Sequence, residues 1–162
     1  MHSSVKQSML ILSLLLFALQ NATMAEIQSH YHLNILNSDH VILYQLPIHE
    51  DRWCLHWNHS VTGIAVEDCY QIIAEQLKLK SSWQPDFAAG LGHFEGRGTL
   101  SEHPQGGYLI SEINEPVRDN RLILRVGSKD VAHSIASGNT HINLSDIAAG
   151  QRIIIKLASL QH

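Results

Sequence analysis

The run Trp53-Cys54-Leu55-His56-Trp57-Asn58-His59-Ser60 alternates between two sets of side chains with a period of two, and Val66 to Ile73 answers it across Thr62-Gly63. A helix repeats its faces every 3.6 residues, so this pattern belongs to extended chain. Thr62-Gly63 is a plausible two-residue connection, with glycine free to take positive φ. One face of the resulting hairpin collects Trp53, Leu55, Trp57, His59, Val66, Asp68, Tyr70 and Ile72. The other collects Cys54, His56, Asn58, Ser60, Glu67, Cys69, Gln71 and Ile73. The first face is the oily one. Burying its two tryptophans removes several hundred Å² from water, on the order of several kcal/mol before entropy is counted.

The same signal recurs along the chain. Tyr31 to Leu36, Val41 to Leu46 (ended by Pro47), Leu77 to Lys80 and Gly107 to Ile110 are β-rich runs. So are Ile113 to Val117, Leu122 to Val126, Val131 to Ile135, His141 to Leu144 and Ile153 to Leu157. Turn residues separate them at intervals of roughly eight to twelve positions, the spacing of sandwiches and barrels. Helical periodicity is confined to Ser145-Asp146-Ile147-Ala148-Ala149-Gly150, read as one helical turn capped by Ser145 and stopped by Gly150. The expected fold is all-β: a single antiparallel β-sandwich or partly open β-barrel, with one short helical turn near 145–149.

The first 25 residues stand apart. Lys6 precedes an apolar run from Met9 to Leu19, followed by a polar stretch with small residues at Thr23 and Ala25. Eleven residues make a helix of about 16 Å, about half of a ~30 Å hydrocarbon core, so an export signal fits better than a span. Residues 1–25 are therefore expected to be a signal peptide and 26–162 a single all-β domain, periplasmic or secreted. Of 162 residues, 44% are hydrophobic, enough for one core, and the net charge of −4 gives no basic field for nucleic acid. Export places Cys54 and Cys69 in an oxidising compartment, where one disulfide is permitted. With Thr62-Gly63 as the turn, the two fall about two residues out of register, roughly 7 Å apart. A register shift one way joins them and the other way parts them, so their bonding stays open.

Three groups of residues invite chemistry. His59 and Asp68 share the turn end of the oily face, where an imidazole needs a partner and a carboxylate supplies one. Such a pair either closes the hairpin or orients a ligand. Ser60 stands beside His59, yet consecutive strand residues point to opposite faces, which argues against a serine hydrolase triad. The loop Gly90-Leu91-Gly92-His93-Phe94-Glu95-Gly96-Arg97-Gly98 lacks the ending of a P-loop, so it reads as a rim offering backbone N–H groups, with Arg97 available to a carboxylate. All but His2 of the 12 histidines follow the leader; His30 and His32 share one strand face and could seat a metal ion.

The string Trp53-x-Leu55-x-Trp57-x-His59-Ser60-Val61, the acidic Asp68 nine positions after the histidine, and Phe87-Ala88-Ala89-Gly90-Leu91-Gly92 resemble domain-of-unknown-function family 1850. The similarity runs from about Val41 to Leu157. Asp68 stands where that family usually carries glutamate, and Ala88-Ala89-Gly90 where it carries Gly-Ala-Gly. The resemblance implies an exported bacterial protein commonly encoded beside permeases of the tripartite ATP-independent periplasmic (TRAP) type. We therefore expect a non-enzymatic periplasmic accessory or binding protein, partnered by a TRAP-type permease or its solute receptor and needing no cofactor. Its expected site is His59, Ser60 and Asp68 with Gly90, Gly92 and Arg97. A histidine-based metal-binding protein using His30 and His32 is the alternative, and a hydrolase the third.

Overall fold

Period-two alternation folds into two stacked sheets. The computed structural model describes residues 31–86 and 93–159. Its strands are β1 (Tyr31–Leu36), β2 (Ile42–Ile48), β3 (Arg52–Asn58), β4 (Ala65–Ile73), β5 (Gln76–Gln84) and β6 (Thr99–Glu102). They continue as β7 (Tyr108–Ser111), β8 (Glu115–Pro116), β9 (Arg121–Arg125), β10 (Ser134–Ser137), β11 (Thr140–Asn143) and β12 (Arg152–Ser159). One sheet has the order β2-β1-β12-β9 and the other β11-β10-β3-β4-β5-β7-β6, with β8 also paired to β5. The pairings are antiparallel and neither sheet closes on itself, so the fold is an all-β sandwich rather than a barrel.

Alternation decides what lies between the sheets. Leu33 and Ile35 of β1, Ile153 and Ile155 of β12, and Trp53 and Leu55 of β3 point inward and are buried. Trp53 faces Tyr70 across the β3–β4 ladder, and their rings stack with centroids 4.4 Å apart. Trp57 packs on the edge of this core and lies over the ring of His133. β2 runs on through Pro47 to Ile48 instead of stopping at the proline. It is an edge strand, where a residue that donates no ladder bond is tolerated.

The hairpin loop is longer than the expected two residues. His59 N–H donates to the Ile64 carbonyl (2.8 Å) and Gly63 N–H to the His59 carbonyl (2.8 Å), so Ser60 to Gly63 form a four-residue loop. Gly63 has φ +70°, a backbone region that glycine enters without steric cost. The longer loop moves the register by two residues and places Cys54 directly opposite Cys69. Their Cα atoms are 4.1 Å apart and the sulfurs are bonded. The question left open by the sequence is thus resolved as a disulfide.

The short helix α1 (Leu144–Ala148) forms where expected, but its cap differs. The Asn143 side chain accepts from Asp146 N–H (3.2 Å), whereas Ser145 is buried. The Ser145 hydroxyl accepts from His133 N–H (3.0 Å) and donates to the Gly127 carbonyl (3.2 Å). A hydroxyl at the second position of a buried helix start is worth more as a tertiary tie than as a cap. The expected leader lies outside the described residues. Among those described, no helix is long and apolar enough to cross a membrane.

The disulfide joins residues 15 apart, and a loop of that size restricts the unfolded chain by about 3 kcal/mol. The double variant Cys54→Ala/Cys69→Ala should lose about that much unfolding free energy in urea. A midpoint unchanged from wild type would show that the hairpin register is held without the bond.

Candidate functional site

Strand β5 carries one residue more than β4 opposes: Cys69 pairs with Ser81 but Tyr70 pairs with Leu79, leaving Lys80 as a bulge. On its far side β5 is covered by β7 at Ser82 to Gln84 and by β8 at Lys78 and Leu79. Between β7 and β8 the chain kinks through Glu112 and Asn114, both at positive φ. Lys80 holds that kink, its ammonium donating to Asn114 Oδ1 (2.6 Å) and Glu112 Oε2 (3.0 Å). The chain then leaves β8, turns through Arg118–Asn120 and enters β9 of the other sheet. Asn120 ties the crossing down, accepting from Leu77 N–H and Gln76 Nε2 (both 2.8 Å) and donating to the Glu75 carbonyl (2.7 Å).

This crossing leaves a cleft of about 750 Å³ bounded by Tyr70, Leu79, Arg97, Glu115, Arg121 and Leu122, among others. Its volume lies within the range of small-molecule sites. Arg97 reaches it from the segment before β6. Gly98, at φ +66°, lies against β7 so closely that a Cβ would strike the Ser111 carbonyl oxygen, which fixes the neighbouring Arg97. The Arg97 side chain is only 19% exposed; its Nε is 4.0 Å from Glu115 Oε2 and its guanidinium 6.0 Å from the Phe94 ring centre.

Asp68 lies one inward position from Tyr70 on β4 and faces Ser82 across the ladder. Burial pushes its carboxyl up from 3.8 to about 6; a hydrogen bond with Ser82 and the charge of Arg97 oppose the rise, while Glu67 and Glu115 add to it. Burial also drives the Tyr70 phenol upward, helped by the charges of Asp68 and Glu115, so Tyr70 stays a proton donor. A part-buried carboxyl, a phenol and a guanidinium beside an open cleft can orient an anionic or amphoteric ligand by charge-assisted hydrogen bonds.

Of the residues expected from sequence, Asp68 and Arg97 come together here. His59 does not join them. Asp68 pairs with Leu55, four residues before His59, which separates the two by about 13 Å along the strand. The four-residue loop is the cause, since it carries His59 away from the Asp68 end. His59 instead braces its own loop, Nδ1 accepting from Thr62 N–H (3.3 Å) and lying 3.0 Å from Thr62 Oγ1. Ser60 is exposed in that loop. Gly90 and Gly92 lie outside the described residues, as does His30. His32 is half-buried on β1 with its Nδ1 lacking a hydrogen-bond partner.

Tyr70, Glu115 and Arg121 were missed. Alternation puts Tyr70 on the oily face without giving it a role, and Arg121 looks like a solvated strand end until β9 is known to form a wall of the cleft.

Sheet order and the cleft together define a β-sandwich with a charged pocket where the chain changes sheets. A family model described as Domain of unknown function (DUF1850) matches residues 54–144, more than half of the chain, and the chain belongs to that family. The match is shorter at both ends than the resemblance first suggested, but it contains the disulfide, Asp68, Arg97, Glu115 and Arg121. No curated protein and no solved structure matches the chain.

A carboxyl raised from 3.8 to about 6 favours the folded state fully below pH 3.8, and that contribution is lost as pH rises through 6. Asp68→Asn should therefore raise unfolding free energy at pH 8 by up to about 3 kcal/mol, and change it little at pH 3.5. Chemical denaturation at the two pH values checks this. An equal effect at both would mean that the gain does not come from ionisation.

Proposed function

We propose that this chain is an exported periplasmic binding accessory, and that it serves a TRAP-type permease or its solute receptor. Its ligand site is the cleft bounded by Tyr70, Arg97, Glu115 and Arg121, with Asp68 beside it. The observation that carries this reading is the 750 Å³ cleft beside a carboxyl whose burial costs the fold stability. A group retained at such a cost is explained by use, and functional sites are where such costs concentrate. The link to a permease rests on family context alone. Export is supported by the short apolar run from Met9 to Leu19 and by the disulfide.

Arg97 sets the ligand chemistry. Its guanidinium is mostly shielded from water and faces the cleft edge, where a ligand carboxylate can compete with the more exposed Glu115 at 63%. Tyr70 donates a hydrogen bond, and Leu79, Leu122 and Ile123 take an apolar portion. Asp68 can accept from or donate to the ligand, depending on pH.

Thermal unfolding of the full chain with a panel of mono- and dicarboxylates tests the site. At a hundredfold excess over Kd a true ligand adds about 2.7 kcal/mol of stability. Arg97→Ala should weaken that ligand roughly 10- to 100-fold, the loss of a charge-assisted hydrogen bond. Co-purification from cells expressing a neighbouring permease tests the partner. Failure of every carboxylate to stabilise the wild type would remove the ligand reading, and failure to recover permease or receptor would remove the partner.

A further inference from the structure

The opposite face of the same hairpin carries a second constellation. Cys54 faces Cys69 and, one inward–outward period along, His56 faces Glu67. Glu67 Oε1 lies 3.5 Å from Cys69 Sγ, and Glu67 Oε2 lies 3.3 Å from His56 Nδ1. Donor atoms of Cys54, Glu67 and Cys69 all fall within 4.8 Å of one another. His56 and Glu67 are 35% and 37% exposed and give the group an edge in solvent, whereas Cys69 is buried at 1%. Alternation sends Asp68 and Tyr70 the other way, which makes this site distinct from the cleft.

We infer that, once its disulfide is reduced, this face binds a thiophilic divalent cation such as zinc through Cys54 Sγ, Cys69 Sγ and Glu67 Oε1. His56 is the positioning residue that holds Glu67 Oε2, as carboxylate–imidazole pairs do around bound metals. The fourth tetrahedral position is left to water. Two Zn–S bonds of about 2.3 Å at a tetrahedral angle require sulfurs about 3.8 Å apart. Cysteines whose Cα atoms are already 4.1 Å apart on one face reach that separation once the bond no longer holds the sulfurs together.

The redox step uses a dithiol donor. One donor thiolate attacks a sulfur of the Cys54–Cys69 bond, which breaks to give a mixed disulfide and a free protein thiolate. The second donor thiolate then attacks the mixed disulfide and leaves as the oxidised, cyclic donor. Two electrons and two protons have passed to the protein, now with two thiols. The cation displaces both thiol protons into solvent. Oxidation and metal binding exclude each other, because the same two sulfurs serve both.

The test uses the full chain reduced with a phosphine, which breaks the bond without adding a competing thiol, and cobalt(II) as a spectroscopic stand-in for zinc. The reduced wild type should bind one cobalt per chain with a near-ultraviolet thiolate-to-metal charge-transfer band, and zinc should displace it. The oxidised chain should show no band. His56→Ala should weaken binding about 10- to 100-fold, and Glu67→Gln at least as much. Circular dichroism is recorded alongside. A reduced, folded wild type with no band overturns the inference. So does Glu67→Gln binding as tightly as wild type, and so does a reduced chain whose β signal is lost with and without metal.

Discussion

The register between β3 and β4 is the constraint on which the rest depends. It is written twice, once on each face of the hairpin. Inside, Trp53 stacks on Tyr70; outside, Cys54 is bonded to Cys69. Because side chains alternate with a period of two, a slip of a single residue would exchange the faces. Glu67 and Cys69 would then point into the core, and Val66, Tyr70 and Ile72 into water. Alternation alone does not choose between registers that differ by two residues, since both keep the faces intact. The Trp53–Tyr70 stack inside and the covalent tie between directly opposed cysteines outside make that choice.

From β4 the constraint passes to β5, where the bulge at Lys80 breaks the ladder into an upper and a lower half. One continuous strand cannot cover both halves, so the chain pairs as β7, kinks at Glu112 and Asn114, and pairs again as β8. Kinked backbone at non-glycine positive φ costs on the order of 1 kcal/mol or more per residue, and Lys80 and Asn120 offset it with hydrogen bonds. The cleft is what remains between the crossing segment and β9. It follows from one extra residue in a strand, not from any motif in the loop that borders it.

That chain of causes explains what the sequence made legible. Strand existence followed from alternation, and so did the faces of β3 and β4. The length of the hairpin loop did not, because Thr62-Gly63 satisfies a two-residue turn and a four-residue loop equally well, and only tertiary packing decides between them. β6 was invisible because Thr99-Leu100-Ser101-Glu102 is exposed throughout and shows no buried face. Asp68 and Arg97 were recognisable as chemistry-bearing residues, but their meeting depends on Gly98 lying against β7. The His59–Asp68 pairing failed for the reason the disulfide succeeded: the same two-residue shift that aligns the cysteines carries the imidazole away.

Four consecutive residues of β4, from Glu67 to Tyr70, thus serve two environments in alternation. The inward pair holds a carboxyl near pH 6 and a phenol that stays protonated, both because water is scarce there. Of the outward pair Glu67 reaches solvent and Cys69 is buried, and the Glu67 carboxylate lies between the sulfur and the His56 imidazole. A strand is stiff along its length, so a shift of the outer sulfurs on reduction need not move the cleft, provided the Trp53–Tyr70 stack keeps the register by itself. The stack buries a tryptophan to 1% exposure, worth about 3–5 kcal/mol against truncation, as much as the ~3 kcal/mol of the disulfide. The inner contact is therefore strong enough to hold the ligand cleft in place while the outer face changes its chemistry.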